Sequence, residues 1–195
     1  MHGSHVSEQE VLLAALEARD PGTSRHTRGV IDLSERVAIR LGLPDKGVAE
    51  VAQVAALHDI GKLATPDAIL NKTGVLDESE RAIMQAHTIL GGELLGCIPS
   101  LAHLERPVRA THERWDGTGY PDRLARTMIP LASRIVFVCD AYDAMTSPRP
   151  YRASILGKGA AANEIRRCAG TQFCPRSAEA LVAVLAFERE ASLVS

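Results

Sequence analysis

The sequence predicts an all-α fold: a single helical domain with a metal site in its helix core. Three observations point there. Hydrophobic residues make up 46% of the 195 and aromatic ones only 4%, so Ala, Leu, Val and Ile build the core. That composition suits packed helices better than a sandwich of strands. Apolar residues recur at helical spacing through most of the chain. Histidines and aspartates interrupt those apolar stripes, where they belong only if something pairs with them. The length is enough for one domain with a full core. Residues 1–18 read as a leader with one short helix, 19–190 as the domain and 191–195 as an unanchored tail.

The elements follow in order. Residues 7–18 form a short amphipathic helix, broken by Arg19-Asp20-Pro21-Gly22-Thr23. Thr23 or Ser24 caps a second helix running through His26, Val30, Leu33, Val37 and Leu41 to Gly42. His26 shares its apolar stripe and points inward. After Pro44 a third helix carries Val51, Val54, Ala55 and Leu57 and ends in His58-Asp59-Ile60-Gly61-Lys62. Adjacent helical residues diverge by about a third of a turn, so His58 and Asp59 either share one metal or serve two. A capped helix end with a satisfied histidine explains the dipeptide alone equally well. Gly61 is expected to close this helix in the left-handed conformation. Lys62 then stands just past the end as a point charge suited to phosphate.

Residues 64–76 read as a loop. Asp77 caps the next helix with Glu80 at capping-box spacing, and Ile83, His87, Leu90 and Leu94 are expected along its inner face. Pro99 to Glu113 reads as another helix, with His112 near its end. Trp115-Asp116-Gly117-Thr118-Gly119-Tyr120-Pro121 is a compact loop whose glycines and proline rule out regular structure. It is either a plain helix connection or a ligand-contact loop. Pro130 opens a strongly apolar helix interrupted by Asp140, with Asp143 on the same face. An ionised carboxylate in such a run is very costly unless paired or bound to a cation. Thr146 to Arg152 is a loop holding Arg149 and Arg152, two forked phosphate donors. Helices over 156–168 and 177–189 close the domain.

Charge and composition exclude several classes. The formal net charge is −2, which leaves no electrostatic footprint for duplex nucleic acid or an anionic membrane. No apolar run approaches the roughly 20 residues of a membrane span, and no signal-peptide pattern opens the chain. Met1 to His5 are set aside, so His2 and His5 are not counted in the site. Cys97, Cys139, Cys168 and Cys174 form no metal or redox motif. They read as buried small hydrophobes in a reducing, cytoplasmic setting.

The inward polar groups are His26, His58, Asp59, His87, His112 and Asp140. Four imidazoles and two carboxylates suit Fe, Mn or Zn better than Ca or Mg. Together with Lys62, Arg149 and Arg152 they point to metal-assisted phosphoester hydrolysis.

From about Arg19 to Pro175 the chain resembles the HD-GYP family of the HD phosphohydrolase superfamily. The matching segments are Arg19-Asp20-Pro21 with His26, Leu57 to Lys62, Ile69 to Gly74, His87, His112 to Pro121, Ile129-Pro130-Leu131, Asp140 to Ala144, Thr146-Ser147, Arg149 to Arg152 and Gly170 to Phe173. The resemblance implies an HD-type helical fold and a phosphodiesterase that linearises a cyclic dinucleotide, usually cyclic di-GMP, by a metal-bound hydroxide. It implies two divalent metals. His26, His58, Asp59 and Asp140 hold one, and Asp59 bridges to a second held by His87 and His112. Asp59 and Lys62 become catalytic, and Lys62, Tyr120, Asp143, Arg149 and Arg152 become substrate contacts. Gly119-Tyr120-Pro121 is the loop that names the family. Two other readings compete: a degenerate module that binds the dinucleotide or a partner protein without turnover, and a general HD nucleotide phosphohydrolase. Thr111 stands where the family has a second histidine, so the second metal site is expected to be the weaker. Gly22 stands where some members carry a third-metal glutamate, and Cys174 where an aspartate is usual. The expected partners are the cyclic dinucleotide, a protein docking on the Gly119-Tyr120-Pro121 loop, and a second copy in a homodimer.

Overall fold

The computed structural model describes residues 6–20, 23–147 and 155–194. Among them the named elements are all helical, as the composition predicts. Helix α1 (Glu8–Arg19) starts at a reciprocal capping box between Ser7 and Glu10 and places Leu16 in the core. Helices α2 (Thr23–Arg40), α3 (Asp45–Leu57) and α8 (Leu131–Thr146) pack on one another. They bury Val30, Val37, Val54, Leu57, Ile135 and Val138 completely. Helix α2 ends at Gly42, whose φ of 77° lets the Gly42 amide reach the Ile39 carbonyl and the Leu43 amide reach the Ala38 carbonyl. Helices α9 (Lys158–Arg167) and α10 (Pro175–Val194) close the other side, α10 against α2 and α8.

Several boundaries differ from the sequence reading, each for a local reason. Helix α3 stops at Leu57, and a 3-10 turn covers Ile60–Ala64. Gly61 is not among the left-handed glycines, so its role is steric. A Cβ on it would stand 1.9 Å from the His87 carbonyl oxygen. The expected loop over 64–76 contains a one-turn helix, α4 (Asp67–Leu70).

The helix that begins after Asp77 is two helices, α5 (Glu78–Gln85) and α6 (His87–Gly96). At the joint His87 Nδ1 and Thr88 Oγ1 bond the Met84 and Gln85 carbonyls, drawing those groups off the regular ladder. This turns the buried face to His87, Thr88, Gly91, Gly92 and Leu95, and leaves Ile83 and Leu90 exposed. The helix expected from Pro99 to Glu113 is a 3-10 turn over Ala102–Leu104 and the short α7 (Glu105–Arg109). Pro107 has no amide to continue a single helix through this stretch. Helix α10 continues to Val194, past the expected tail boundary. Cys139 and Cys174 are buried as expected, but Cys168 is half-buried and Cys97 exposed.

Candidate metal centre

Three packed helices bring the first group of donors together. His26 comes from α2, His58 caps the C-terminus of α3, and Asp140 lies on α8. One donor atom from each lies within 4.8 Å of the others, and His26 Nε2 stands 3.1 Å from Asp140 Oδ1. A second group, meeting the same 4.8 Å criterion, joins Asp59, His87 at the start of α6 and His112 just past α7. Asp59 faces both groups. Its Oδ2 is 3.5 Å from His58 Nε2 and its Oδ1 is 3.6 Å from His87 Nε2. All six residues singled out in the sequence therefore converge.

Hydrogen bonding aims the imidazoles. His58 Nδ1 lies 2.8 Å from the Ala55 carbonyl and His87 Nδ1 lies 2.7 Å from the Met84 carbonyl. A carbonyl oxygen only accepts, so both Nδ1 atoms carry the proton, and in a neutral ring Nε2 keeps a lone pair for the site. His87 Nε2 and His112 Nε2 are buried with no hydrogen-bond partner. The His112 ring stacks on Tyr120 with centroids 5.2 Å apart, and Phe137 meets it edge-on at 5.9 Å. Burial lowers the His112 pKa to about 3, helped by His87, and burial lowers His87 as well. Burial alone would raise Asp59, but Lys62, His58 and His87 outweigh it and hold its carboxyl well below the usual range. For Asp140 the His26 hydrogen bond and the nearby His58 and His112 likewise outweigh burial.

The residues fit divalent metal binding. Orphaned imidazole nitrogens facing ionised carboxylates are what a cation satisfies. Two donors about 2.1 Å from a common zinc-like ion would stand roughly 3.0–3.4 Å apart, and the spacings of 3.1–3.6 Å lie in or near that range.

The surrounding residues divide differently from the sequence reading. Lys62 does not stand apart beyond a helix end; its Nζ pairs with Asp59 Oδ2 at 2.6 Å. Asp143 is turned inward, with Oδ2 2.5 Å from His26 Nδ1 and Oδ1 accepting from the Ser147 hydroxyl at 3.0 Å. Tyr120 covers His112. Gly119 is required by packing, since a Cβ there would lie 2.3 Å from the Arg114 amide nitrogen. Pro121 follows a cis peptide bond. Thr111 is buried and donates to the Val108 carbonyl at 2.8 Å. Arg149 and Arg152 lie outside the described residues, as does Gly22. The Ser147 and Leu156 amides donate to the Asp143 and Met145 carbonyls near the end of α8.

The sequence reading missed Glu113. Its buried carboxylate accepts the Asp122 amide at 2.7 Å, and Arg109 grips Asp122 with two bonds of 2.7 Å. These contacts tie the loop beyond Pro121 to the turn that carries His112. The signal was a lone glutamate beside a candidate ligand, which sequence alone cannot tell from a solvated charge.

A family model described as an HD domain matches residues 10–176. The chain belongs to the HD domain family. Its motifs and relatives place it in the HD-GYP branch. It is 41% identical over 175 residues to a cyclic di-GMP phosphodiesterase of Thermotoga maritima, covering 89% of this chain and 47% of that one. It is 41% identical over 143 residues to a 3'3'-cGAMP-specific phosphodiesterase of Vibrio cholerae, covering 72% and 27%. The chain thus spans less than half of either relative. The crystal structure of a V. cholerae cyclic GMP-AMP-specific phosphodiesterase shares the fold, with a TM-score of 0.67 at 17% identity over 94% of this chain and 49% of that one. No helix among the described residues is long and apolar enough to cross a membrane.

Proposed function

We propose that this HD-GYP chain is a metal-dependent phosphodiesterase that opens a cyclic dinucleotide to its linear form. Cyclic di-GMP and 3'3'-cGAMP are the candidate substrates, the classes named for its relatives. The observation that carries the reading is the pair of donor groups meeting at Asp59. Divalent metals held there supply Lewis acidity toward the phosphodiester and toward water. His26, His58 and Asp140 serve the first position, His87 and His112 the second, and Asp59 either or both. Lys62, 22% exposed at its side chain, lies at the edge of the site. From there it can exchange part of its contact with Asp59 for a phosphate oxygen. Arg149 and Arg152, outside the described residues, take the phosphate-contact role that the family resemblance implies, as two forked guanidinium donors. Tyr120 holds the His112 ring and walls that side of the site.

One observation favours the competing reading of a binder without turnover. Thr111 offers no imidazole, so the second group holds three donors among the described residues. The relatives' names disfavour a general nucleotide phosphohydrolase. A protein partner on the Gly119-Tyr120-Pro121 loop, a homodimer and a cytoplasmic location remain part of the proposal. Metal analysis combined with turnover of cyclic di-GMP and 3'3'-cGAMP tests it. About two metals per chain and metal-dependent linearisation of either compound are expected. Tight binding of a dinucleotide by metal-loaded protein with no product would make the chain a receptor.

A further inference from the structure

We propose that Asp143 is a positioning residue for His26 and not a substrate contact. It keeps a proton on His26 Nδ1, so that Nε2 is presented to the first metal position. The inference rests on the metal reading above.

Two hydrogen bonds, one from α2 and one from the residue that follows α8, hold the carboxylate in place. Oδ2 lies 2.5 Å from His26 Nδ1 on α2. Oδ1 accepts from the Ser147 hydroxyl, one turn further along its own chain, at 3.0 Å. Gly29, also on α2, leaves the room: a Cβ there would stand 3.0 Å from Asp143 Oδ1 and 3.8 Å from its Cγ. The side chain is 16% exposed, and both its oxygens are engaged inside the protein.

The other face of the ring explains the need. His26 Nε2 stands 3.1 Å from Asp140 Oδ1. An imidazole with a single proton and no Asp143 would put that proton on Nε2, where Asp140 can accept it. Nε2 would then be closed to a metal. With Asp143 in place the proton stays on Nδ1, and Nε2 and Asp140 become co-ligands. A carbonyl does this for His58 and another for His87. His26 lies early in its helix, and Asp143 does the same work from α8. Carboxylates behind ligating histidines fix ring orientation and raise ligand basicity in this way.

The test uses the full chain and Zn(II) as the probe, titrated against a chelator, with 15N-edited NMR of the histidine rings. Asp143→Ala is expected to weaken one of the two Zn(II) stages by ten- to a hundredfold and to leave the other within about twofold. The His26 Nδ1–H resonance, present in wild type, is expected to vanish. Ser147→Ala and Gly29→Ala are expected to give smaller losses at the same stage. Gly29→Ala guards against a folding artefact, because alanine favours the helix interior and the variant reaches His26 only through Asp143.

Unchanged Zn(II) stages in Asp143→Ala overturn the proposal. So does a loss confined to cyclic di-GMP affinity with the Nδ1–H resonance retained, which makes Asp143 a ligand contact. If wild type takes up no Zn(II), the metal reading fails by itself. The resonance in metal-free wild type then decides the Asp143 contact: its presence in wild type and loss in Asp143→Ala support it, and its absence from wild type refutes it.

Discussion

Gly61→Ala should separate the two donor groups. The 3-10 turn that follows Asp59 packs against α6, and Gly61 lies against the His87 and Gly91 backbone. An added Cβ would stand 1.9 Å from the His87 carbonyl oxygen, 2.6 Å from the Gly91 nitrogen and 2.8 Å from the His87 carbonyl carbon. All three are backbone atoms, so no rotamer change relieves the clash. An ordinary contact needs about 3.4 Å, so α6 and the turn must part by roughly 1.5 Å. Metal donors tolerate about 0.2 Å. His87 is itself the displaced residue, and its Nε2 now stands 3.6 Å from Asp59 Oδ1. The second group therefore opens, whereas His26, His58 and Asp140, on α2, the end of α3 and α8, do not lie across the parted surface.

The expected result is loss of one metal equivalent in a chelator titration, with the other held within about tenfold of wild type. Overpacking of this kind costs about 1–3 kcal/mol or more, which any helix-propensity gain of about 1 kcal/mol does not cancel. Gly91→Ala provides the graded control. Its Cβ would stand 3.1 Å from the Gly61 nitrogen and 3.3 Å from the Ile60 side chain, so it should weaken the same equivalent less and keep more stability. Two wild-type equivalents and an unchanged melting temperature in Gly61→Ala would refute the steric argument. Loss of the first group with retention of the second would refute the assignment of His87.

Other outcomes follow from the proposed metal centre and the phosphate contacts that the family resemblance implies. His58→Ala should remove metal and turnover together, since its buried ring faces Asp59 and shares a group with His26 and Asp140; metal analysis beside a cyclic di-GMP assay checks this. Thr111→His should strengthen the weaker metal stage without impairing hydrolysis, as read by chelator titration; an unchanged stage would mean that position 111 does not reach the metal. Arg149→Ala should weaken cyclic dinucleotide binding by roughly ten- to a hundredfold, from about 1.5–3 kcal/mol for a charged hydrogen bond, with ligand-free melting unchanged. Metal-free protein should lose stability between pH 7 and pH 5. The unfolded His112 takes up a proton near 6.5, but the folded one only at about 3. Stability is thus complete above the unfolded value and drains as pH falls, by about 2 kcal/mol at pH 5 from His112 alone; urea unfolding at the two pH values reads it.

The fold class and the six donor residues were legible because their signals are local. A carboxylate such as Asp140 inside an apolar helical run needs a partner wherever the helix goes. His26 and His87 interrupt stripes whose period alone says they face inward. What escaped the sequence depends on contacts between distant segments. Gly61 read as a helix stop, a backbone role, because nothing local says that α6 passes against it. Pro107 was present to be read, but the apolar spacing of Leu101, Leu104 and Val108 masked the break it makes. Asp143 shares a face with Asp140, yet only the packing of α8 on Gly29 shows that it turns to His26. Glu113 is a polar residue in a polar stretch until the loop folds back over it.

The two donor groups are supported by different means, and this argues for unequal metal sites independently of Thr111. The first lies among α2, α8 and the end of α3, whose shared surface carries the fully buried Val30, Leu57 and Ile135. Its histidines are aimed by a carbonyl and a carboxylate. The second is assembled from the joint before α6 and from a turn after α7. There the His87 ring is aimed by the Met84 carbonyl, but the His112 ring is placed by stacking on Tyr120 and by Phe137 at its edge. Ring packing fixes a plane less firmly than a hydrogen bond fixes a donor atom. Tyr120→Ala should therefore loosen the second metal selectively, with the first unmoved, whereas Tyr120→Phe should keep both because the stacked ring remains. If Tyr120→Phe loses the second metal as fully as Tyr120→Ala, the hydroxyl and not the ring supports His112, and the stacking account is wrong.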